Sequence, residues 1–279
     1  MSGRPARADG ARRQDRGEAA AVDATTNRRN VDFGHGVFRR RLRLIAAAGR
    51  VCAGLEDSHH AMRLVLRHDG ERVTDIESSM TRMPMSTCPG AAAPLLAFIG
   101  MSLAPYPQRP SALVDSRANC THLHHMALLA IAHAQRTGTR QYDIEVPDEH
   151  PGPVWSVVRR DGLEVHRWRT CNNRIVEPDA FAGLPMQKGF ARWAAERFDG
   201  DDLEAAFVLS NAYLVSHARR FDVGAWAGEQ AVAHDSMVGK CYGYQPAVVK
   251  RGVYVANASR DTTAADTPLL ADFTCEPEQ

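Results

Sequence analysis

The stretch His60-Ala61-Met62-Arg63-Leu64-Val65-Leu66-Arg67-His68-Asp69-Gly70-Glu71-Arg72-Val73 decides the fold. Met62, Leu64 and Leu66 alternate with Arg63, Val65 and Arg67, the period of a strand with one face buried. Asp69-Gly70 is the dipeptide of a tight hairpin turn, and residues 72–80 make the returning strand. Toward the N-terminus, Phe38-Arg39-Arg40-Arg41-Leu42-Arg43-Leu44 alternates in the same way, and Gly49 marks a turn into residues 50–55. Together these segments predict an antiparallel meander with one face buried.

Helices follow the meander. Pro89 suits a helix start because its missing N–H costs nothing in the first turn, and a helix is expected over 91–103, with Pro94 near its first turn. Pro105, Pro107 and Pro110 make a loop, and an apolar helix over 121–136 is stopped by Thr137-Gly138. Beyond it, residues 154–159 and 163–168 flank Asp161-Gly162 as a hairpin, with 174–176 as a third strand. Residues 190–198 and 203–220 read as helices. Residues 1–30 carry seven arginines and four acids but almost no large apolar side chain, the composition of a passive, disordered tail. The expected organisation is this tail, an α+β domain over 31–140, and a mixed α/β extension over 141–279 with a polar end.

Composition narrows the function classes. A formal charge of +1 with both signs interspersed gives no global pull toward nucleic acid or an acidic membrane. No run of 18 apolar residues is present, so no spanning helix is expected, and the N-terminus lacks the apolar core of a secretory signal. Six scattered cysteines do not make the dense framework of a small secreted domain. The expectation is a cytoplasmic protein with reduced thiols, with Cys52, Cys171 and Cys241 as small core residues and Cys275 exposed in the tail.

Three clusters carry chemistry: Asp57-Ser58-His59-His60, Thr87-Cys88-Pro89 and Asn119-Cys120-Thr121-His122-Leu123-His124. Imidazole and thiolate are strong ligands for zinc and similar ions. His60 falls on the same strand face as Met62 and Leu64, where an unpaired imidazole would be costly. Cys88 and Cys120 fall at helix starts, where the helix dipole favours thiolate. The fourth ligand is His122 if Cys120 caps its helix, with His124 and Asp57 as alternatives. Glu77, on the returning strand, reads equally as a solvated strand residue and as a general acid or base beside a metal-bound water. Tyr242, Tyr244 and Ser259-Arg260-Asp261 are candidate pocket residues, with a loop tied by an Arg–Asp bond as the simpler account.

His60-x-Met62-x-Leu64-x-Leu66, Val73-x-Asp75-x-Glu77, Pro84-x-x-x-Cys88-Pro89, Ile99-Gly100 and Cys120-Thr121-His122-Leu123 occur in one order and spacing. In these motifs the chain, from about Phe33 to His133, resembles the bacterial domain of unknown function 2889. Met62-x-Leu64, Cys88, Gly100-Met101-Ser102-Leu103 and Cys120 also resemble, more distantly, the U-type iron–sulfur cluster scaffolds. That second resemblance implies a meander with helices packed on one face and metal ligands at Cys88 and Cys120. Ser58 stands at the scaffolds' first cysteine, and His60 at their aspartate.

The expected function is a metal-dependent lyase or hydrolase, with zinc as the ion, held by His60, Cys88, Cys120 and His122. Its substrate would be a small organic molecule of a catabolic pathway, aromatic compounds included. The alternatives are a non-catalytic carrier of iron or an iron–sulfur cluster, and a closed structural zinc. The expected partners are a small-molecule substrate and further copies of the chain, with neither nucleic acid nor membrane.

Overall fold

The period-two pattern of the first half builds four strands: β1 (Val37–Ala47), β2 (Arg50–Glu56), β3 (Ala61–His68) and β4 (Val73–Arg82). The structure is a computed structural model and describes residues 28–106, 114–116, 118–234 and 237–275. The tail expected over 1–30 therefore lies outside the described residues except at its end, where Asn30 N donates to Arg220 O at 3.1 Å.

One eight-stranded antiparallel sheet runs β4-β3-β2-β1-β5-β6-β7-β8, completed by β5 (Gly138–Pro147), β6 (Val154–Arg160), β7 (Leu163–Cys171) and β8 (Arg174–Glu177). The class is α+β, with helices packed against the sheet. Asp161 and Gly162 take positive φ in the β6–β7 turn, as the Asp-Gly signal requires. Sequence reading leaves 138–147 unassigned, yet β5 is the strand that joins the halves: Leu42 pairs with Tyr142 on one side, and Ile144 with Val158 on the other. The boundary expected at 140/141 thus falls inside a strand.

The helices are α1 (Ala92–Leu95), α2 (Thr121–His133), α3 (Phe190–Arg197), α4 (Gly200–Ser216) and α5 (Pro246–Val249). The helix expected over 91–103 is instead a string of short turns, 88–91, 92–95 and 96–98. Pro94 cannot sustain a regular helix through this segment, and Gly100 takes φ +87°. The chain then pairs with the start of β4, through Val73 N to Met101 O at 2.9 Å.

Helix α2 packs on β1–β3 and α4 on β5–β7. Alternate residues of β2 face opposite ways. Val51, Ala53 and Leu55 enter the main core beneath α2, while Cys52 packs with Leu270 and Phe273 on the outer face. Nearly every residue of α2 from Leu123 onward is buried, so this helix is covered on both sides. A second, smaller core joins Met85 and Cys88 to Val223, Trp226, Tyr244 and Tyr254.

Candidate metal centre

The turn between β2 and β3 is built by its own aspartate. Asp57 N donates to His60 O at 2.8 Å, and Asp57 Oδ1 accepts the backbone N–H groups of His59 at 2.8 Å and His60 at 2.9 Å. This is the local bonding that makes aspartate a turn residue. The same Oδ1 receives His60 Nδ1 at 3.1 Å, and Oδ2 receives Arg40 Nε at 2.9 Å and Nη2 at 2.6 Å. Burial alone would raise the Asp57 carboxyl, but the His60 imidazole and the Arg40 guanidinium outweigh it and hold the group well below its usual range.

Arg40 was not among the sequence candidates, although its signal is present. Period two puts it on the face of Phe38, Leu42 and Leu44, where a buried arginine demands an anionic partner. It also reaches α2: Arg40 Nη2 lies 3.0 Å from His122 Nε2. A guanidinium can only donate, so Nε2 accepts and the hydrogen of the neutral ring sits on Nδ1. That nitrogen is 3.8 Å from Cys120 Sγ. Burial, and then the His60 and Arg40 charges, keep His122 well below the ordinary histidine range.

The His60 and His122 rings lie 4.0 Å apart, tilted by 35°. One donor atom from each of Asp57, His60 and His122 lies within 4.8 Å of the others. Both Asp57 oxygens are saturated by the five hydrogen bonds above, which sets Asp57 behind His60 and leaves His60 Nε2 free of it. His60 Nε2 is then an open donor, with Cys120 Sγ 3.8 Å from a His122 Nδ1 that carries its proton.

Of the four expected ligands, the structure brings His60 and His122 together with Asp57, sets Cys120 3.8 Å from His122, and places Cys88 near Cys120 in the second core. Cys88 opens the turn at 88–91 and belongs to the second core. A Cβ at Gly243 would lie 3.5 Å from its sulfur, and Tyr242 N donates to Asn119 O at 3.0 Å, so Cys241 joins Cys88 and Cys120 in one neighbourhood rather than serving as isolated core filler. Thiolate at the helix starts is not realised. Burial outweighs the backbone N–H groups and pushes Cys120 up to about 11 and Cys88 up to about 12.

The reserve ligand His124 turns away, edge-on to Phe98. His59 is buried, with Nδ1 3.1 Å from Ser259 Oγ, and His125 bonds Asn211 at 3.0 Å. Glu77 is not brought to the cluster. It pairs opposite Val65, four residues along β3 from the Ala61 end, and its exposed carboxylate takes Arg67 Nη1 at 2.9 Å. Arg260 bonds Glu56 at 2.8 Å, not Asp261, and with Ser259 lines an open cleft of about 430 Å³ that also includes His59 and Arg219. Cys52 and Cys275, expected as free thiols, form a disulfide across 223 residues.

Among the described residues no helix is long and apolar enough to cross a membrane. No curated protein and no solved structure matches the chain. Residues 44–136 match the family described as "Protein of unknown function (DUF2889)", a stretch that carries Asp57, His60, Cys120 and His122.

Proposed function

We propose that the protein is a metal-dependent enzyme, with zinc as its ion, that acts as a lyase or hydrolase on a small organic molecule. His60 Nε2, Cys120 Sγ and a His122 that has shed its Nδ1 proton would hold the ion, and Asp57 would orient His60. The observation that carries this reading is the His60 ring, oriented by a buried carboxylate. His60 Nδ1 is tied to that carboxylate, which leaves its Nε2 for a metal, whereas His122 would offer Nδ1 only by giving up the proton held there, with Arg40 turning away from an Nε2 that then carries it.

Charge supports it as well. Arg40 and Asp57 cancel, and a thiolate at Cys120 offsets one unit of a divalent ion. The 3.8 Å between Cys120 Sγ and His122 Nδ1 is close to the separation of about 3.5 Å that two ligands have around a tetrahedral zinc. Three protein ligands leave one position for water or substrate. There the ion would polarise a substrate oxygen or bring bound water toward a pKa of about 7. Because the Cys120 thiol is pushed up to about 11, ion binding must displace its proton.

The test is zinc titration of purified protein with proton release measured alongside. Wild type should bind one zinc per chain with affinity rising as pH rises, and His60→Ala, His122→Ala and Cys120→Ala should each weaken binding at least tenfold. A cobalt-loaded sample should change its visible spectrum on adding azide. Full zinc affinity in any two of these variants removes the centre, and a cobalt spectrum indifferent to every added ligand makes the site structural. One observation favours a second reading as a metal or cluster carrier: the thiols of Cys88 and Cys241 near Cys120. Brown protein with acid-labile sulfide would decide for it.

A further inference from the structure

Beyond Val255 the chain returns along the outer face of β2 and meets it at every second residue. Cys275 is bonded to Cys52, with Cα atoms 5.6 Å apart. Phe273 fills the notch at Gly54, where a Cβ would come within 2.8 Å of its ring. Leu270 N donates to Glu56 Oε2 at 2.7 Å. Past the strand end, the hydroxyls of Thr262 and Ser58 lie 2.8 Å apart, and Arg260 N donates to Ser58 O at 2.7 Å. The rungs 52, 54, 56 and 58 share the outer face, whereas Asp57 and His60 turn inward to Arg40 and α2. Residues 258–275 therefore grip, from behind, the turn that offers His60.

We infer that residues 258–275 are a redox-latched strap that positions the Asp57–His60 turn, and that opening the Cys52–Cys275 bond weakens metal binding at His60. The inference rests on the metal-centre reading for its consequence, but not for the latch itself. The bond links residues 223 apart, so its loss frees the far end of the strap and leaves the buried Leu269, Leu270 and Phe273 and a few hydrogen bonds to hold it. A dithiol reductant balances the step. The bond takes two electrons and two protons to become two thiols, and the reductant closes into its own disulfide. The turn itself keeps its internal Asx bonds, so the effect on it is one of position. Thr262 and Ser58 are positioning residues here, since they act on His60 through the turn.

The experiment uses the full chain in three forms: oxidised, reduced with a phosphine (which binds zinc weakly), and Cys275→Ser. Thiol titration under denaturing conditions should count four thiols in the oxidised protein, the complement of the disulfide. Amide hydrogen exchange at His59 and His60 should quicken about tenfold on reduction and in Cys275→Ser, and Cys275→Ser should not respond to the phosphine. Zinc affinity should fall about tenfold in the same two forms. Thr262→Val should reproduce part of this loss, and Thr262→Ser should restore it. Six free thiols in protein purified under air, or equal exchange in oxidised and reduced protein, overturns the latch. Faster exchange in protein that binds no zinc in any form leaves the latch standing and removes the metal centre instead.

Discussion

Asp57, in the β1–β4 half of the sheet, and Glu204, beneath the β5–β7 half, are both buried carboxylates held in opposite states. Asp57 is fully enclosed, yet five hydrogen bonds and the Arg40 charge keep it ionised. Glu204 is enclosed by α4 and the sheet with a Tyr142 hydroxyl and an Arg140 nitrogen at 3.6 Å, and there burial prevails and its carboxyl is raised. The difference is the number and charge of converging donors, which decides whether a buried acid stays charged. An ionised Asp57 can orient an imidazole and balance a cation. Glu204 ties α4 to β5 and stands among no metal ligands.

The largest effect should come from exchanging each acid for its amide. Asp57→Asn keeps the shape but leaves Arg40 buried without a counter-charge, which costs about 3–5 kcal/mol. Glu204→Gln imitates a carboxyl already pushed toward its neutral form, and its cost should be about 1 kcal/mol. Urea unfolding at pH 7 measures both. Equal losses would break the contrast, as would an Asp57→Asn variant with unchanged zinc affinity.

A second separation appears with pH. Burial lowers His59 to about 4 and His125 to about 3. Unfolded histidines take up a proton near pH 6.5, whereas these two do not until well below it, so the unfolded state binds more protons in between. Stability should fall from pH 6.5 toward pH 4, by about 1.4 kcal/mol per pH unit for each histidine. Asp57 adds its loss only below its unfolded value near 3.8, as pH falls toward its lowered native one. Glu204, raised, acts with the opposite sign: above its unfolded value of 4.5 the native state takes up the proton first and gains. His125→Gln should flatten the slope between pH 6.5 and 5. A protein equally stable at pH 7 and pH 5 would mean that water reaches these rings.

How far the fold could be read depended on how local the signal was. The alternation of 38–44 and 60–67 and the Asp69-Gly70 and Asp161-Gly162 turns lie in adjacent residues, and those strands form as expected. Tyr142, Ile144 and Val146 alternate just as clearly with Asp143 and Glu145, but the strand starts at the same Gly138 that stops the preceding helix, so no separate turn marks its beginning. Of the candidate centre, His60, Cys120 and His122 were readable as residue types, and Arg40 as a charge on an apolar face. The pairing of Cys52 with Cys275 was not readable, because no local rule links residues 223 apart. Nor was the raised state of the thiols, which depends on burial that only the tertiary fold creates.

Glu77 supplies the smallest effect and the sharpest control on where the chemistry lies. Its side chain is 63% exposed on the edge strand β4 and shares Arg67 with Asp75. Exposed pairs of this kind contribute about 0–1 kcal/mol. Glu77→Gln should therefore leave stability within about 0.5 kcal/mol and zinc affinity unchanged. Once a substrate is in hand, turnover should be unchanged as well, because a carboxylate four residues along β3 from the cluster cannot exchange a proton with a ligand bound beside His60. Asp57→Asn, by contrast, should lose both zinc and turnover. If Glu77→Gln kept its zinc and lost turnover, the reacting atoms would lie toward the sheet edge, and the inward cluster around Asp57 would be a support for the fold.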